Sequence, residues 1–158
     1  MDLTELDVMG LPLHPLIVHA VVVLLPLAAL ALVVGTIWPA ARRRLGVVTP
    51  GLALVVLVLM PLTFLSGESL KADVGPVPSV LAHEDLARML PPWAIALAVV
   101  AVAQWAWFRW RPAPRGERPP VSHRAITVAL AAAAIVVAVG STVLVILIGE
   151  AGARSVWG

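Results

Sequence analysis

The chain has 158 residues, 61% of them hydrophobic and 13% charged, with no cysteine and a formal charge of +2 at pH 7. The absence of cysteine excludes disulfides, thiolate zinc sites, iron–sulfur clusters and c-type haem attachment. A mean hydropathy of +1.00 leaves little polar surface for a soluble domain, so the pI near 10.4 is read as topology-setting arginine rather than as a nucleic-acid surface.

The acidic N-terminus (Asp2, Glu5, Asp7) is unlike the basic start of a cleaved signal peptide. The first apolar run is therefore expected to be retained. Four such runs follow one another, at about residues 16–38, 46–65, 93–108 and 125–148. About 20 apolar residues suffice to cross a hydrocarbon core of about 30 Å as an α-helix. The expected fold is an all-α, integral membrane four-helix bundle forming a single domain over residues 1–158.

Within the first two runs, Pro26 and Pro61 each remove a backbone donor, which membrane helices tolerate when neighbours re-satisfy the freed carbonyl. Between the second and third runs, a short amphipathic helix at about 79–90 is expected to lie at the membrane surface. Ser79 is its expected cap; Val80, Leu81, Leu86, Met89 and Leu90 form its apolar face, opposite His83, Glu84 and Arg88. Trp93, Trp105, Trp107 and Trp110 bracket the third run, and Trp38 ends the first, as in an aromatic belt. The proline-rich stretch Arg111–Pro120 reads as a loop. In the fourth run Ala134, Ala138 and Thr142 recur every four residues and predict a close-packing face.

The charges separate by loop. Arg42, Arg43, Arg44, Arg109, Arg111, Arg115, Arg118 and Arg124 flank one end of the expected bundle, while eight of the nine acids fall at the other. The positive-inside rule places the arginine loops in the cytoplasm and both termini on the outer side.

That topology gathers ionisable groups at the outer mouth: His14 and His19 from the first span, Glu68 from the second, His83 before the third and Glu150 after the fourth. A tetrahedral metal site needs three or four such ligands, and a b-type haem needs two facing histidines, for which His19 and His83 are the expected pair. His14 and His19 are five residues apart, about 140° on an ideal helix, and do not share a face. The plainer reading is that helix ends collect hydrated polar residues, and that His123 is a cap or interface residue on the cytoplasmic side.

The opening GLPLHPLIVHA, Gly10–Ala20, with its His-Pro followed four residues later by a second histidine, the close GEAGARSVWG and a histidine before the third span resemble a family of bacterial four-helix membrane proteins catalogued as domain of unknown function 2231, actinobacterial type. The resemblance covers essentially the whole chain. It implies a bacterial plasma membrane location and carries His14, His19 and His83 as family positions. Some members are fused to Rieske or cytochrome c domains, which implies electron transfer at the outer face and a redox membrane complex or a Rieske/cytochrome partner beside the lipid bilayer.

The sequence thus supports a small accessory subunit of a redox or respiratory system, binding haem b or a divalent metal through His19 and His83 with His14, Glu68 and Glu150 assisting. The alternative is a structural or assembly membrane protein without a cofactor. A small transporter ranks third, since no Asp, Glu, Lys or Arg lies near the middle of any run. An enzyme is disfavoured, because no nucleophile–base pair stands out.

Overall fold

A computed structural model describes residues 7–8, 11–110 and 121–157. Asp2, Glu5 and the loop Arg111–Pro120 lie outside the described residues. Ahead of the helices, Asp7–Val8 pairs antiparallel with Leu11–Pro12. Six helices follow: α1 (Leu13–Ile37), α2 (Pro39–Leu45), α3 (Val48–Val74), α4 (Pro78–Ala87), α5 (Leu90–Trp110) and α6 (Val121–Trp157).

Four stretches are long and apolar enough to cross a membrane, carried by α1, α3, α5 and α6. Only 28–39% of each most apolar window is buried within the bundle. A helix that is apolar all round and mostly unburied has lipid as the natural partner for its remaining surface. The four pack in a ring: α1 touches α3 and α6, and α5 completes the ring between them, with α1 and α5 nearly out of contact across the diagonal.

Among the described residues, alanines make up nearly half of the buried apolar interior, beside leucines such as Leu25, Leu32 and Leu97. Ala28 and Ala29 of α1, Ala53 of α3, Ala94, Ala98 and Ala101 of α5, and Ala134 and Ala138 of α6 are all buried. Such residues let helix backbones approach closely, which is how helices associate where lipid offers no hydrophobic drive. On α6 the buried stripe runs Ala134, Val137, Ala138, Ser141, Leu144, Val145 and Ile148. The four-residue repeat therefore predicts the start of this face but not its course. Each step of four overshoots a full turn by about 40°, so Ser141 takes the fully buried place and Thr142 only a partly buried one.

Two sequence expectations change. Ser79 does not cap α4: Val77 is the N-cap, without a side-chain bond, and Pro78 occupies the first helical position, where its missing N–H costs nothing. Pro91 and Pro92 sit inside the first turn of α5 for the same reason. Trp93 leaves the aromatic belt and packs onto Gly140 of α6 so closely that a Cβ there would lie 2.0 Å from its ring. Trp38 and Trp110 remain exposed, as belt positions require.

Candidate functional site

Because the ring alternates direction, the N-termini of α1 and α5 and the C-termini of α3 and α6 share one end, with α4 laid against α6. The polar side chains singled out by sequence meet here to differing degrees.

His14 lies in the first turn of α1 and is partly buried. Its Nδ1 is 3.2 Å from the Thr63 carbonyl oxygen and 3.1 Å from Ser66 Oγ, both on α3. A carbonyl oxygen only accepts, so Nδ1 carries the proton and Nε2 the lone pair. The ring rests on Gly67, where a Cβ would approach Cε1 to 3.0 Å. Ser66, itself buried, also donates to the Thr63 carbonyl at 3.1 Å.

His83 repeats this arrangement on the opposite flank. It projects from α4 onto α6, Nδ1 donating to the Ile148 carbonyl at 3.1 Å, with its ring against Gly152, where a Cβ would come within 3.2 Å of Cε1. His83 thus belongs to the packed side of α4 with Leu86, not to the polar side that the sequence pattern gives it, while Leu81 and Met89 are exposed. Neither His14 Nε2 nor His83 Nε2 has a hydrogen bond among the described residues.

His19 is on a different face. It is exposed, and its Nδ1 donates to the Pro15 carbonyl of its own helix at 2.5 Å. The 140° between His14 and His19 decides this: one turns to α3 and the other away from it. Glu68 is exposed on α3. Glu150 is exposed on α6 and ion-paired with Arg154 one turn later. Among the described residues, no group of three or more His, Asp or Glu side chains is assembled to hold a metal ion. The structure therefore seats His14 against α3 and His83 against α6, and leaves His19, Glu68 and Glu150 on outer surfaces.

The sequence reading overlooked a three-residue ion network. Lys71 Nζ at the end of α3 donates to Glu84 Oε2 at 2.8 Å, and Arg88 donates to Glu84 Oε1 at 2.6 Å. The stretch Pro78–Trp110 is apolar as a whole, but the 21 residues of α5 suffice for the hydrocarbon core, which leaves α4 outside it. There the Lys71 hydrogen bond, followed by that of Arg88, holds the Glu84 carboxyl below its ordinary range. The available signal was that Lys71 is the single lysine in a chain with ten arginines. Its flexible point charge suits a pairing between elements.

At the other end, Gln104 is buried on α5 and donates through Nε2 to Thr36 Oγ1 of α1 at 2.6 Å. Trp107 donates to Thr127 Oγ1 at 3.1 Å and stands edge-on to His123, tying α5 to α6. His123 is thus an interface residue, as its position suggests.

No curated protein and no solved structure matches the chain. The family model described as predicted membrane protein (DUF2231) matches residues 10–158, a range that holds all four spanning helices and both inward histidines. The chain belongs to that family of multi-pass membrane proteins.

Proposed function

We propose that the chain is a small accessory membrane subunit of a redox or respiratory system, and that its histidine end presents two imidazole lone pairs to haem iron or a divalent cation. The observation that carries this reading is the shared state of His14 and His83: each spends its Nδ1 proton on a backbone carbonyl of another helix. This is how ligating histidines are commonly oriented, because the bond fixes the tautomer and aims Nε2 outward. Two donors match the axial pair of a haem better than a closed tetrahedral site, which needs four ligands. His14 accordingly replaces His19 as the partner of His83, with His19, Glu68 and Glu150 peripheral. In this reading the arginine loops face the cytoplasm and the histidine end faces outward, by the charge asymmetry of the loops.

A second reading has its own support. The same two bonds join α1 to α3 and α4 to α6, which is what a structural or assembly protein would require of them. The two separate in a reduced-minus-oxidised absorption spectrum and a metal analysis of purified protein, wild type against His14→Gln and His83→Gln. A sharp α-band or stoichiometric metal in wild type, lost in both variants, supports ligation. A flat spectrum with no metal, and a lowered melting temperature in both variants, selects the structural role and overturns the first reading.

A further inference from the structure

The arginine end holds a cavity of about 250 Å³ between α1, α2, α3 and α5. We propose that it is a site for the headgroup of an anionic phospholipid. Arg42, Arg43 and Arg109 line it, together with Gln104 and Trp105, and the described residues that line it include no carboxylate. Arg42 is anchored: its guanidinium lies 3.6 Å from the centre of the Phe108 ring, and one of its nitrogens donates to the Gly35 carbonyl at 3.2 Å. Arg43 and Arg109 are exposed at the rim. A fixed guanidinium with two exposed ones suits a phosphate oxygen cluster, since Arg donors match phosphate geometry.

The wall at Gly46 is open. That residue turns the chain from α2 to α3 with φ +46°, and a Cβ there would meet nothing within 4 Å.

Two features favour a lipid over a soluble anion. Ile37, Trp38, Val47 and Val48 around this end are 50–71% exposed, an apolar surface suited to acyl chains beside the headgroup. Basic pockets between membrane helices are also where anionic headgroups bind.

The test is native mass spectrometry of the full chain released from micelles containing equal phosphatidylglycerol and phosphatidylcholine. Wild type should retain one phosphatidylglycerol in preference to phosphatidylcholine by about thirtyfold, from roughly 1 kcal/mol for each of the two rim arginines near a lipid charge. R43Q/R109Q should lose that preference, R43K/R109K should recover most of it, and R154Q, at the far end, should keep it. Equal retention of the two lipids by wild type overturns the proposal, as does a preference unchanged in R43Q/R109Q. Displacement of phosphatidylglycerol by millimolar inorganic phosphate reassigns the cavity to a soluble anion and overturns the lipid assignment.

Discussion

The two ends of the bundle handle their polar groups in opposite ways. At the histidine end, His14 and His83 are drawn into helix–helix contacts, each ring on a glycine and each Nδ1 on a neighbour's carbonyl. At the arginine end, charge is held around an open cavity, with Arg42 packed on Phe108 and Arg43 and Arg109 at the rim. A neutral imidazole can be taken into a contact at small cost once its donor is satisfied. A guanidinium cannot shed its proton, so it stays where water, an aromatic face or an anion can meet it. The first end should therefore be sensitive to shape and the second to charge.

The largest effect expected at the histidine end is Gly140→Ala. A Cβ 2.0 Å from the Trp93 ring forces α5 and α6 apart, and overpacking of this kind costs about 3 kcal/mol. Detergent-solubilised protein should melt markedly earlier, and Trp93→Leu in the same chain should recover part of the loss. An unchanged melting temperature for Gly140→Ala would break the claim that Trp93 is seated on α6.

Smaller losses are expected from Gly67→Ala and Gly152→Ala, whose added methyls meet the His14 and His83 rings at 3.0 and 3.2 Å. Displacing a ring forfeits a cross-helix hydrogen bond, about 1 kcal/mol each, and the imidazole chemical shifts should move with it. Gly51→Ala, at the other end and with no atom within 4 Å of the added methyl, should be neutral or slightly stabilising. A cost at Gly51 equal to that at Gly67 would erase the shape contrast between the ends.

The smallest effect concerns the Lys71–Glu84–Arg88 network, which is solvent-facing and screened by salt. A carboxyl held below its ordinary pKa stabilises the fold above its unfolded value and loses that contribution as pH falls through the lower folded value. Wild type should therefore lose a little thermal stability on acidification, more at low salt, and Glu84→Gln should lack that component. Identical acid profiles would show that the network adds nothing to the tie between α4 and the end of α3.

Much of the fold was legible because lipid imposes a simple rule: a long apolar run must be a helix to satisfy its own backbone. The helices overran the apolar runs, α6 reaching Trp157 and α3 reaching Val74, since backbone hydrogen bonding does not stop where hydropathy does. The candidate site was legible in its residues but not in their packing. His14, His19 and His83 were each visible as ionisable groups near span ends, yet only packing set His14 against α3 and His83 against α6 and left His19 exposed. The glycines beneath the rings and the lone lysine carried no signal that spacing alone could decode.

The sequence by itself determined class, span number and the separation of charge between loops, because transfer into lipid and helix length depend on composition read along the chain. Only the tertiary structure decided that Trp93 packs inward, that Ser141 rather than Thr142 is fully buried, and that arginines from two helices meet around one cavity. Those outcomes depend on how each helix is rotated against its neighbours. Apolar sequence that is nearly uniform around the helix leaves that rotation to small residues and a few cross-helix hydrogen bonds.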